Sequence, residues 1–154
     1  MKPRIIALAS ALIFVSAIVC AAQNPHMGTW KLNEAKSHFH QGAPKNTTVV
    51  YEAAGDDTKV TVDGVDGEGN PTHNEWTGKF DRKDYAVNGD ATADTRAYRR
   101  INARTLALTN KKNGKVTLTG RIVASANGRH RTVTTTARNA KGRRVTNIAV
   151  YDKE

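Results

Sequence analysis

Chemistry needs nucleophiles, acid–base pairs or metal ligands held together, and this 154-residue sequence offers few of them. Past the N-terminal segment the serines are Ser37 and Ser125, and neither lies in a Gly-x-Ser-x-Gly elbow. No glycine-rich phosphate loop is present, and the one cysteine is Cys20. His38 and His40 stand two apart, on one side of an extended segment, with His73 and His130 far away in sequence. Zinc takes three or four ligands in fixed geometry, so no metal site is predicted. A haem barrel needs an axial ligand, commonly histidine. Only His73 and His130 fall on expected strands, and no cofactor is predicted. The acidic run from Asp63 to Asn70 fails the calcium-loop template. A loop starting at Asp66 puts Pro71 where glycine belongs and Thr77 where the bidentate glutamate belongs. Its Asn, Asp and Gly content suits a wide hairpin turn. No catalytic residue is assigned, and a non-enzyme is expected.

The arginines are more informative. Arg96, Arg99, Arg100, Arg104, Arg121, Arg129, Arg131, Arg138, Arg143 and Arg144 all fall in the second half. Residues 23–95 carry 7 Lys/Arg against 12 Asp/Glu, whereas residues 96–154 carry 15 against 2. A field of that shape attracts anions such as lipid headgroups, cell-wall polymers or an acidic partner. Nucleic acid is not expected, because stacking needs aromatics among the basic strands and only Tyr98 and Tyr151 occur there. Alternate strand residues face inward, so either Arg99 or the pair Arg96 and Arg100 points into the molecule. An inward arginine must meet a carboxylate or an anionic ligand, or else pack over Trp30 as a structural floor. Arg99 and Arg121 are the candidate anion contacts.

Turn signals punctuate the chain between these residues. Asn88-Gly89, Asn113-Gly114 and Asn127-Gly128 each supply the dipeptide that a tight type I′ hairpin favours. Between turns, β-branched residues alternate with polar ones. Strands are expected over 47–52, 59–63, 75–80, 84–87, 96–101, 105–110, 115–125, 129–138 and 143–151, with another at Trp30. No mature segment has a helical period, although Asn33 to Ser37 suits one helical turn. The prediction is an all-β fold, an up-and-down antiparallel β-barrel of 8–10 strands.

Residues 1–22 read as a signal peptide. Lys2 and Arg4 precede an apolar run, followed by small residues at Cys20, Ala21 and Ala22. Cleavage there leaves 23–154 as a single domain with no cysteine and no transmembrane span. A periplasmic or secreted location and a monomer are expected. Val19 before Cys20 does not suit lipid modification.

The opening Gly28-Thr29-Trp30, followed by short strands, resembles the Gly-x-Trp start of the lipocalin and fatty-acid-binding-protein superfamily. The ending Val150-Tyr151-Asp152-Lys153-Glu154 is similar to the last strand of the fatty-acid-binding branch. Gly28 to Asn33 followed by Tyr51 to Asp66 also resembles secreted, lipocalin-like bacterial proteins. The resemblance implies a barrel whose floor is closed by Trp30, with Gly28 and Trp30 as structural residues. Two departures stand out. Residues 33–46 are too short for that branch's two-helix lid, and Ala149 occupies the place of the arginine in its Arg-x-Tyr carboxylate clamp.

The functional expectation is a non-catalytic binding protein for a small amphipathic or anionic ligand. Tyr51, Trp76, Arg99, Arg121 and Tyr151 are the candidate contacts, and small residues at Gly78, Ala97, Gly120 and Ala137 are expected to leave room. The alternative is a structural or interaction protein of the cell envelope, with a filled barrel and a basic surface.

Overall fold

Asn113 and Gly114 both adopt positive φ, 50° and 74°, the geometry an Asn-Gly pair gives a tight hairpin whose twist matches its strands. At Asn88-Gly89 and Asn127-Gly128 only the glycine has positive φ, 82° and 68°, so these two turns do not take the expected type I′ geometry. Hairpins build nearly the whole structure, a computed structural model that describes residues 24–154. The expected signal peptide, with Cys20, lies outside the described residues.

The strands are β1 (Gly28–Leu32), β2 (Lys45–Ala54), β3 (Asp57–Val65), β4 (Pro71–Gly78) and β5 (Tyr85–Asn88), then β6 (Thr95–Asn102), β7 (Thr105–Lys112), β8 (Lys115–Ala124), β9 (His130–Arg138) and β10 (Arg144–Lys153). Each pairs antiparallel with its sequence neighbours, and β1 pairs with β10 to close the ring. The fold is a closed ten-stranded up-and-down antiparallel barrel, at the upper end of the expected strand count. Among the described residues no helix is long and apolar enough to cross a membrane.

The one helical element is a 3-10 turn, Glu34–Lys36, capped by the Asn33 side chain. It lies where the sequence predicted a single turn. Beyond it the chain continues beside β10 through paired backbone hydrogen bonds between His38 and Ile148. The nearby pair of histidines thus belongs to the barrel seam. The acidic turn is held by its own side chain: Asp66 accepts from the backbone N–H groups of Glu68 and Asn70. No cluster of metal-binding type occurs among the described residues.

Inward side chains form one core of Trp30, Val49, Tyr51, Val60, Val62, Trp76, Val87, Tyr98, Leu106, Ile122, Ala149 and Tyr151 with Ala93. Burial is densest toward the end that carries His26 and the β2–β3, β6–β7 and β8–β9 turns, here called the floor. At the opposite end, the mouth, the inner residues of β8–β10 are only half-buried.

Candidate ligand site inside the barrel

Trp30 is fully buried at the floor, and its indole N–H donates to the backbone oxygen of His26 at 2.9 Å. Opposite it on β10 is Lys153, whose ammonium lies 5.2 Å from the Trp30 ring centre. The Lys153 stem occupies the space that a side chain at Gly28 would need, and Gly28 has φ of 105°. The Gly-x-Trp spacing therefore has a local cause: glycine admits the lysine stem that covers the tryptophan.

Arg131 also covers the ring. It faces Tyr151 across the β9–β10 ladder, and its guanidinium carbon lies 4.8 Å from the Trp30 ring and 4.9 Å from those of Tyr51 and Tyr151. Cations are attracted to the faces of aromatic rings, each contact contributing roughly 0.5–2 kcal/mol. Arg131 is nevertheless 2% exposed, and its Nε and Nη1 are buried without a hydrogen-bond partner among the described residues. A guanidinium does not deprotonate, so the floor holds a permanent positive charge with donors to spare.

His26 completes the floor, fully buried with both ring nitrogens unpartnered. Burial, with the positive charges of Arg131, Arg100 and Lys153, pushes its pKa down to about 4. It is a neutral imidazole at neutral pH. Burial pushes the Tyr151 hydroxyl up to about 12 and raises Tyr98 as well, so both stay protonated. The Tyr151 hydroxyl donates to the Asn46 carbonyl. The arrangement contains a fixed cation and neutral donors but no activated nucleophile.

From the mouth down, the inner faces of β8–β10 form a graded wall. Leu118, Ala137 and Val145 lie in one row, Gly120, Thr135 and Asn147 in the next, and Ile122, Val133 and Ala149 below them. Arg131 and Tyr151 follow at the base. Thr135, Ala137, Val145 and Asn147 are half-buried, whereas Ile122 and Arg131 are each 2% exposed.

The candidate contacts divide. Tyr51 and Tyr151 meet on Arg131. Trp76 stacks on Phe80, meets Tyr85 and Tyr98 edge-on, and donates to the Arg96 carbonyl at 2.8 Å. It is a packing residue of the neighbouring aromatic cluster. Arg99 and Arg121 correct the sequence-based placement: both are exposed on the outer face, so neither lines the interior. The inward set of β6 is Arg96, Tyr98 and Arg100, because Tyr98 carries the apolar contact. Ala97 consequently faces outward, and the space beside Gly78 is filled by the Tyr85 ring. The expected room at Gly120 is also absent, since a side chain there would press on Thr134, Thr135 and Leu108, whereas Ala137 does line a hollow at the mouth end of β8 and β9.

Arg96 is the second buried arginine and is fully engaged. It reaches Asp90 at 3.0 Å and Asn110 at 3.0 Å, pinning the β5–β6 loop at the mouth. Sequence reasoning did not single out Arg131, His26 or the Arg96–Asp90 pair. One signal was available: Arg131 is in phase with Val133 on a strand, the alternation of an inner face. His26 precedes the first strand and has no periodic neighbour.

These features define the class as a closed antiparallel barrel with a cationic aromatic floor. No protein-family model matches the chain, and no curated protein is significantly similar to it.

Proposed function

We propose that this is a non-catalytic, lipocalin-like barrel that takes a small anionic or amphipathic molecule through the mouth, with the anionic group directed at Arg131. The unpartnered Arg131 guanidinium is the observation that carries the reading. A buried charge is stable only when paired or hydrogen-bonded, and an anion reaching the Arg131 guanidinium supplies both. The small and half-buried residues of β8–β10 give an apolar tail a lining above that charge. Ala149 removes the arginine of the fatty-acid clamp, so recognition rests on β9 instead. The signal-like N-terminal sequence supports export, to a periplasmic or secreted location. The intact mass of the exported chain checks this, with a start near Gln23 expected.

The ligand test compares thermal stabilisation by a medium-chain alkyl carboxylate, alkyl sulfate and alkyl alcohol of equal length. A ligand that binds only the folded state raises its stability. The anions are expected to stabilise the wild type and the alcohol to fall short, with the difference lost in a folded Arg131→Met variant. Equal shifts in both proteins, or none in the wild type, would overturn the reading.

A further inference from the structure

The outer wall of β6–β10 carries a surface that the interior reading does not use. Outward residues align across the strands. Thr109, Thr119, Thr136 and Thr146 form a continuous row, and the hydroxyls of Thr136 and Thr146 are 3.2 Å apart. One row toward the floor, Arg99, Ala107, Arg121 and Thr134 follow each other. Toward the mouth, Arg138 and Arg144 stand directly opposite on β9 and β10.

Two hollows mark this wall. One, of about 360 Å³, is lined by Arg82, Arg99, Ala97, Ala107 and Thr109. The other, of about 400 Å³, lies at the rim of the mouth, where outward Thr119, Thr136, Arg138 and Arg144 line it together with Leu118 and Ala137 of the inner face. The threonine row runs from the first to the second. Ala97 and Ala107 line the first hollow beside Arg82 and Arg99.

The charges of this wall are uncompensated. Among the described residues the carboxylate ion pairs go to lysines and histidines, such as Lys59–Glu75, Lys111–Asp84 and His130–Asp152. Arg96 alone among the arginines takes one. Arg82, Arg99, Arg121 and Arg144 are left for an external anion, with Arg138 beside them donating one N–H to the Gly142 carbonyl at 2.8 Å, and a guanidinium fork fits sulfate, phosphate or carboxylate groups in a bidentate manner.

We infer that this wall binds an anionic polysaccharide, a chain of sugar rings bearing sulfate or carboxylate groups, laid across β6–β10 along the threonine row. Threonine hydroxyls both donate and accept, which suits sugar hydroxyls between the charged groups. With strands about 4.8 Å apart, the span from β6 to β10 is roughly 20 Å, the reach of a short oligosaccharide. A convex barrel wall meets a flat membrane along a narrow line, whereas a flexible polymer follows the curve. Base stacking is not offered, because Tyr98 and Tyr151 are buried inside and stacking platforms need exposed rings.

The test is binding of the full mature chain to dextran sulfate, with uncharged dextran, anionic phospholipid vesicles and single-stranded oligonucleotide as parallel probes. Dextran sulfate is expected to bind most tightly and dextran not at all. The triple variant Arg99→Gln, Arg121→Gln, Arg144→Gln is expected to lose about tenfold in affinity and to show a shallower salt dependence, as fewer counterions are released. A control triple on β1–β3, Lys31→Gln, Lys45→Gln, Lys59→Gln, removes the same charge outside this wall and is expected to lose less than about threefold. Thr119→Val with Thr136→Val is expected to weaken binding without changing the salt slope. Equal losses in the two charge triples, tighter binding to vesicles or oligonucleotide, or no binding to dextran sulfate would each overturn the inference. Unchanged denaturation midpoints show that each variant folds.

Discussion

The two buried arginines solve the same problem in opposite ways. At the mouth, Arg96 meets a carboxylate and a carboxamide and holds the β5–β6 loop. At the floor, Arg131 meets three aromatic rings and leaves two nitrogens without a partner. The first arrangement is closed: its donors face acceptors that the chain itself supplies, and nothing is offered to a ligand. The second is open, because aromatic faces stabilise charge but accept little hydrogen bonding. Unspent donors in a buried place are what the proposed anion would use, whereas the engaged donors of Arg96 hold the chain to itself.

The largest expected effect tests the floor's support. Trp30→Ala removes the surface on which Arg131 and Lys153 lie and should lower stability by about 3–5 kcal/mol in chemical denaturation, as for other buried aromatics. A small loss would mean that Tyr51 and Tyr151 hold the guanidinium without it.

The direct comparison comes next. Arg96→Met strands Asp90, whose side chain is 13% exposed, and breaking such a buried pair should cost about 3 kcal/mol. Arg131→Met loses cation–π contacts but removes an unpaired buried charge, so the net change should stay within about 1 kcal/mol. Equal losses would erase the distinction between the two sites.

A third measurement uses pH. Folding lowers the His26 pKa from 6.5 to about 4, so between those values the unfolded chain binds more protons than the folded one. Stability therefore rises with pH in that window, is fully present above 6.5, and is lost as pH falls toward 4. The loss should be about 3 kcal/mol, and His26→Leu should flatten the slope. The aspartates with lowered pKa values, such as Asp152, held down by Asn33 and His130, act at still lower pH.

The smallest effect sets the baseline. Lys59 and Glu75 form a solvent-exposed pair at 2.7 Å, and the mutual hydrogen bond raises the pKa of the lysine and lowers that of the glutamate. Exposed pairs contribute little, so Glu75→Gln should leave the denaturation midpoint unchanged within error.

Much of the fold was legible because it rests on local rules. Asn113-Gly114 specifies a hairpin by its backbone freedom, and alternation around Val60, Val62, Leu106 and Ile122 specifies which face is buried. The site was less legible because it depends on register. Arg99 and Arg131 look alike in composition, and a one-residue change of phase puts a side chain inside or outside. For β6 the deciding residue was Tyr98, whose ring fills the core beside Trp76. For β9 the cue was Val133, weakened by the run of threonines at 134–136, which suit either face. His26 was invisible to any periodic argument, since its burial follows from the chain crossing beneath Trp30.

The pairing of β1 with β10 has a kinetic consequence. Trp30 meets Lys153 from the far end of the chain, and Arg131 and Tyr151 reach the same place from its last two strands. The floor therefore cannot assemble from a growing or partly delivered chain. Hairpins can form early, but the ring closes only after the most distant contact is made, and such non-local contacts make folding slow. Until then β1 and β10 are open edges, able to pair with another molecule. Closure both completes the cationic floor and ends that exposure in a single late event.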